Sequence, residues 1–157
     1  MNLTSILAFA GVLGAGLVAG IFFAFSTFVM QALARIPKPQ GIAAMQAINI
    51  TVLNPWFFAA FFGTGVVSLV AVGVALLGMG DADSLYLIGG GAVYFVGCLM
   101  VTIVCNVPLN DRLAAVDSGS ADGAILWDRY LKQWTFWNHI RTAASFVSAA
   151  VFLIAAM

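Results

Sequence analysis

The sequence predicts an all-α integral membrane protein, a single-domain four-helix bundle with short interfacial helices in its two long loops. Three observations carry that expectation. Of the 157 residues, 63% are hydrophobic and only 8% are charged, whereas soluble domains run to about half apolar and about a quarter charged. Four apolar runs, at about residues 3–30, 56–77, 85–105 and 137–157, are each long enough to cross a hydrocarbon core that takes roughly 20 helical residues. The remaining polar side chains gather at the ends of these runs, so one domain spanning residues 1–157 accounts for the whole chain.

In the first run, Met1–Ser5 carries no basic side chain and the apolar stretch far exceeds the h-region of a signal peptide. It is expected to remain in the mature protein. Gly11, Gly14, Gly16 and Gly20, with Ala15 and Ala19, offer close-packing faces. Helices in lipid associate through such faces, here against neighbouring spans or against a second copy in a homo-oligomer. Phe22, Phe23, Phe25 and Phe28 follow, either as lipid-facing bulk or as the wall of an aromatic cavity.

Pro37 and Pro39 end the first helix, because proline cannot donate to the ladder. Ile42, Met45, Ile48 and Val52 then recur every three or four residues, which predicts an amphipathic interfacial helix with Gln46 and Asn49 at other positions around it. Asn54-Pro55 opens span two as N-cap and first helical residue. Phe57, Phe58, Phe61 and Phe62 place more aromatic surface at the depth of the phenylalanines in span one.

Gly78–Ser84, with Asp81 and Asp83, is expected to turn span two into span three. Span three carries Gly89–Gly91, Tyr94 and Gly97 and runs into Asn106-Val107-Pro108-Leu109-Asn110-Asp111. Pro108 is expected to break this helix and free carbonyls that buried amides such as Asn106 satisfy. Asp122 is the expected N-cap of a further interfacial helix, with Ile125, Leu126, Tyr130, Leu131 and Trp134 on one face and Asp128 and Lys132 on the other, running into span four. Cys98 and Cys105 lie seven residues apart on one helix, a rise of about 10 Å, too far for a disulfide. They read as packing residues.

The two long loops hold Arg35, Lys38, Arg112, Arg129 and Lys132, while the short turn has only acids. The excess of basic residues in cytoplasmic loops then predicts a cytoplasmic (inner) membrane protein with both termini outside. The net charge is zero and the basic residues are scattered, which excludes a nucleic-acid-binding face. The expected partners are membrane lipid and a hydrophobic aromatic small molecule.

The densest polar cluster opens span four. On a helix, Trp134, Asn138 and Arg141 share one face, and His139 projects about 100° away from Asn138. Antiparallel packing would bring Asn54 and Asn106 to the same end, giving a pocket of amides, one imidazole and one guanidinium under an aromatic roof. Ionisable groups inside spans default to function with a partner: Arg141 could pair with Asp111, accept an anionic ligand, or snorkel to headgroups. Trp127, Trp134 and Trp137 are either site walls or an interfacial belt. One histidine, two cysteines and no acid within a span do not make a zinc or di-iron site. No cofactor is expected, a haem on His139 being the alternative.

Asn54-Pro55, Asn106-Val107-Pro108-Leu109-Asn110 and Trp134-x-x-Trp137-Asn138-His139-x-Arg141 together resemble the anthrone oxygenase-like family of small four-helix membrane proteins. The resemblance covers nearly the whole chain. It implies oxidation of an anthrone to an anthraquinone by O₂ without metal or flavin. On that reading His139 is the base that removes an acidic C–H proton, imidazole being the side chain that changes charge nearest neutrality. Arg141 stabilises the anion, Asn54, Asn106 and Asn138 orient phenolic oxygens, and Trp134 and the phenylalanines stack on the flat substrate. Asn110 and Trp137 complete the expected substrate-binding set. The alternatives are a non-catalytic membrane binding protein for a quinone, haem or lipid, and a structural, oligomeric membrane protein.

Overall fold

The computed structural model describes residues 2–78 and 82–157, except for the side chains of Ala82 and Asp83. Within them the chain forms five helices and no strand: α1 (Leu3–Arg35), α2 (Lys38–Thr51), α3 (Pro55–Leu77), α4 (Ser84–Ala114) and α5 (Ala121–Ala156). α1, α3, α4 and α5 are each long and apolar enough to cross a membrane. They form a square in which α1 packs against α3 and α5, and α4 packs against the same two. The short α2 lies across the end of the bundle opposite the chain termini, against the end of α1, α4 and α5. Asp81, in the expected turn between α3 and α4, lies outside the described residues, as does the Asp83 side chain.

The side chains are distributed as a membrane bundle requires. Large apolar groups such as Leu13, Leu17, Phe28, Val66, Leu69, Val96 and Phe146 face outward, while Ala8, Ala15, Ala19, Ala71, Ser68, Ser145 and Ser148 are fully or almost fully buried. Lipid competes with the interior for leucine, so close backbone approach holds the helices together instead. A Cβ on Gly91 would come within 2.6 Å of the Ser68 carbonyl oxygen of α3, and one on Gly11 within 2.5 Å of the Phe152 ring of α5. Gly16 and Gly20 face open space, so the glycine stripe of α1 is only partly consumed inside the bundle.

Two helix boundaries differ from the sequence reading. Pro108 does not end the third span: π turns at Phe95–Met100 and Thr102–Asn106 widen α4, and the helix restarts at Val107 with the proline in its first turn. The ladder before the proline is already in the π pattern, with the Val107 amide donating to the Thr102 carbonyl, so the proline follows a register change instead of interrupting a regular α-helix. The second interfacial helix runs into span four as expected, and only its N-cap differs. It is the start of a single 36-residue helix, α5, whose N-cap is Ser120 rather than Asp122, with Ser120 Oγ accepting from the Gly123 amide at 3.0 Å. Asp128, near the start of α5, pairs with Lys38 of α2 at 2.7 Å.

Candidate functional site

One stripe of α5 faces the bundle interior: Trp127, Tyr130, Trp134, Asn138, Arg141, Ser145, Ser148 and Phe152 are all buried. Their spacing of three and four residues is the helical period. Trp127, Tyr130 and Trp134 stack in succession, with ring centroids 5.6 and 6.1 Å apart. They are therefore core residues, not a headgroup belt. Tyr130 Oη and Trp134 Nε1 both donate to Asn110 Oδ1, each at 2.8 Å. One amide on α4 thus fixes two aromatic rings of α5.

Below these rings lies Arg141, only 3% exposed. Its Nη2 donates to Asn138 Oδ1 at 2.7 Å and its Nη1 to Thr102 Oγ1 at 3.2 Å, while its Nε has no partner. The guanidinium carbon stands 4.1 Å from the centre of the Phe22 ring and 5.1 Å from Trp134. Among the described residues Arg141 makes no ion pair, and Asp111, one of the alternatives for its partner, is exposed on α4. A cation taken out of water normally carries a paired anion, since burying it unpaired is among the costliest arrangements a fold can hold. Here neutral oxygens and aromatic faces alone offset that cost.

Asn138 orients the guanidinium. Its Nδ2 donates to the Phe22 carbonyl at 2.8 Å and to Ser26 Oγ at 2.7 Å, which leaves Oδ1 as the acceptor turned to Arg141. Thr142 Oγ1 gives its proton to the Asn138 carbonyl at 2.8 Å, so Ser26 is the donor in the 3.0 Å Ser26–Thr142 contact. Ser26 stands in a π turn of α1, Phe25–Val29, and Thr102 in the second π turn of α4. Such turns re-aim side chains by inserting one residue into the helical ladder. In this chain both π turns place a hydroxyl on the Asn138–Arg141 pair.

Arg141 lines a cavity of about 120 Å³ walled by Phe22 and Phe25 of α1, Met45, Ile48 and Asn49 of α2, Phe57 of α3, Thr102 and Asn110 of α4, and Trp134. The phenylalanines thus divide by helical face. Phe22 and Phe61 are buried and Phe25 and Phe57 reach the cavity, while Phe23, Phe28, Phe58 and Phe62 point outward.

The expected site residues are only partly brought together. Arg141, Trp134 and Asn110 line the cavity, and Asn138 stands directly behind Arg141. Asn106 is fully buried, but its Nδ2 donates to the Trp134 carbonyl at 3.2 Å, its Oδ1 has no partner, and it is not part of the cavity wall. Asn54 serves as the N-cap of α3, accepting from the Trp56 and Phe57 amides at 3.1 and 3.0 Å and donating to the Thr51 carbonyl at 3.0 Å. That local work takes it out of the pocket. Trp137 is half-buried, packs on the core around Trp134 and against Phe136, 5.1 Å between ring centroids, and is not part of the cavity wall.

His139 stands apart from this cluster. It is exposed, one residue beyond Asn138 and so off the buried stripe, and the cavity contains no imidazole. Thr102, Ser26 and Asn49 were not among the expected site residues. Thr102 is four residues before Asn106 on the same helix face, and that spacing was the available signal. Among the described residues no three His, Cys, Asp or Glu side chains are close enough to hold a metal ion.

Fold and site together define a four-span membrane bundle that encloses, at one end, an aromatic-walled cavity with an unpaired guanidinium. The chain belongs to the anthrone oxygenase family, whose sequence pattern it matches over residues 56–151. That stretch covers nearly all of α3, all of α4 and most of α5, with Thr102, Asn110, Trp134, Asn138 and Arg141. No curated protein and no solved structure matches the chain.

Proposed function

We propose that this protein oxidises a flat phenolic or anthrone-like molecule with O₂, holding it as an anion against Arg141. The observation that carries the reading is the buried guanidinium, which lines a cavity and has no acid to neutralise it among the described residues. An oxyanion on the ligand would supply the missing charge and the acceptor that Arg141 Nε lacks. Phe22, Phe25, Phe57 and Trp134 provide flat apolar faces for an aromatic body.

The chemistry follows from that geometry. An anthrone loses a proton from its CH₂ carbon to give an enolate, and Arg141 favours that ionisation by binding the enolate oxygen, a fixed charge aimed at the charge that develops. The electron-rich carbon adds O₂, the peroxide takes up a proton, and loss of water leaves the quinone carbonyl. One O₂ is consumed and one water released for each CH₂ oxidised. Two C–H protons leave this carbon, one as the enolate forms and one as the hydroperoxide expels hydroxide. No imidazole or carboxylate lines the cavity, so water is the acceptor in both steps, one proton returning to the peroxide and the other joining the hydroxide as the released water, and an exposed His139 is compatible with turnover. The side-chain amide nitrogens of Asn110 and Asn49 are the neutral donors proposed for further oxygens, since the Thr102 hydroxyl already donates to the Cys98 carbonyl.

The test is dithranol oxidation under air by purified protein, against a boiled control and Arg141→Met. Anthraquinone formation that the substitution abolishes supports the reading, and equal rates in all three samples refute it. A binding protein without turnover is the second reading, favoured because no imidazole or carboxylate lines the inner cavity. It predicts a copurified quinone-like chromophore and no product. The basic residues Arg35, Lys38, Arg112, Arg129 and Lys132, at the α2 end of the bundle, support a cytoplasmic-membrane protein with that end inside and both termini outside, which reporter fusions at each terminus would check. The outward-facing Gly16 and Gly20 are the contact proposed for a homo-oligomer.

A further inference from the structure

The inner cavity is small for the molecule just proposed. At about 120 Å³ it falls below the roughly 300–1,000 Å³ of drug-sized ligand sites. A second cavity of about 370 Å³ lies against it, between α2 and α4. The two share four wall residues: Asn49 and Leu53 from α2 and its exit, and Val107 and Asn110 from α4. Those four side chains form the partition between the two cavities. Asn110 is tied to Tyr130 and Trp134 and Val107 belongs to a helix restart, whereas Leu53 is 63% exposed. Asn49 Nδ2 is shielded from solvent with no hydrogen-bond partner.

An unsatisfied amide donor in such a place is as costly as a lost hydrogen bond. The chambers also differ in polarity. The inner one holds Arg141, and the outer one is rimmed by Asp111 and Gln46. An anionic oxygen is therefore drawn inward and repelled at the outer end, where a hydroxyl that donates is welcome.

We propose that the ligand lies across both chambers, entering between α2 and α4, and that Asn49 is its positioning and selecting residue. On this reading, which rests on the proposed anion site at Arg141, the ligand is an elongated phenol or enol of two or three fused rings. Its ionised oxygen lies inside on Arg141, a second oxygen accepts from Asn49 Nδ2 at the partition, and its far ring sits in the outer chamber with a neutral hydroxyl toward Asp111. A single-ring phenol fills only the inner chamber.

The experiment is anaerobic binding of dithranol, with three fused rings, and of resorcinol, with one, read by quenching of tryptophan emission in the purified protein. Wild type should bind dithranol at least tenfold more tightly. Ala114→Trp, which puts an indole into the outer chamber from an exposed position, should abolish that preference and leave resorcinol unchanged. Leu53→Trp, also at an exposed position, should slow dithranol association by about tenfold. Asn49→Leu should weaken dithranol by about tenfold, the worth of one buried hydrogen bond, with Asn49→Gln recovering part of the loss.

Equal affinity for the two ligands, or dithranol binding that none of these variants alters, overturns the two-chamber site. Because no O₂ is present, binding is read apart from turnover. A wild type that binds dithranol in this pattern but never makes quinone in air upholds the two-chamber site and refutes the oxygenase. Turnover unaffected by all four variants does the reverse. A wild type that binds neither compound overturns both.

Discussion

Arg141→Met separates a guanidinium kept for binding from one kept for folding. In the wild type the guanidinium makes two hydrogen bonds, to Asn138 and Thr102, and faces Phe22 and Trp134. Hydrogen bonds to charged groups contribute about 1.5–3 kcal/mol each and a desolvated cation–π contact about 2 kcal/mol. Against these stands the desolvation of an ion with no counter-charge, itself several kcal/mol. The opposing contributions are of one size, and methionine keeps the aliphatic packing between the two rings. The net change in stability is therefore expected to stay within about 2 kcal/mol, a shift in Tm of less than about 8 °C for a chain of this length. Affinity for an anionic ligand should fall by about 10- to 100-fold, the loss of one charge-assisted hydrogen bond at 1.4 kcal/mol per decade. The assays are thermal unfolding followed by tryptophan emission in one detergent, and anaerobic dithranol binding under the same conditions. A fall in Tm of more than about 12 °C with affinity retained would refute the argument, because it would make Arg141 a structural cation satisfied by Asn138, Thr102 and two rings.

Thr102→Asp supplies the carboxylate that the site lacks, at a position whose hydroxyl is 3.2 Å from Arg141 Nη1. It should hold or raise Tm while lowering dithranol affinity as far as Arg141→Met does, and affinity equal to wild type would count against an anion at Arg141. His139→Ala should keep the dithranol oxidation rate within about threefold of wild type, since a surface substitution usually moves energies by no more than about 0.5 kcal/mol; a loss of a hundredfold or more would return the imidazole to the chemistry. Gly91→Ala forces a methyl against the Ser68 carbonyl and should destabilise the bundle by about 1–3 kcal/mol. Gly16→Ala, which meets nothing within 4 Å, should leave the melting temperature of the protein in dilute detergent unchanged or slightly raised.

The membrane fold was legible because its signals are local and redundant. Four apolar runs, three of them without charge and the fourth with Arg141 alone, and glycines where backbones must touch, can each be read without knowing what they pack against. Features that depend on the register between helices were not. Pro108 read as a helix end because an α-helix cannot carry an interior proline cheaply, and two π turns upstream, which no residue pattern announces, turned an interior position into a first-turn one. Asn54 had two readings of comparable weight, and the cap geometry chose the local one.

His139 shows how a chemically attractive residue can outweigh geometry. Its 100° offset from Asn138 follows from the helical period alone, and Trp134, Asn138 and Arg141 share one face by the same arithmetic. Once Trp134 and Arg141 face inward, His139 cannot do so on an unbroken helix, and α5 is unbroken from Ala121 to Ala156. The imidazole was drawn to the site by its acid–base chemistry, whereas in the proposed reaction water is left to accept the protons and Arg141 to hold the anion. The cavity wall fits that division of labour, with one fixed positive charge, neutral amides and a hydroxyl, and aromatic faces. What a sequence can deliver at such a site is the helix face. That no counter-charge stands beside Arg141 among the described residues emerges only when all four spans and α2 are set around it.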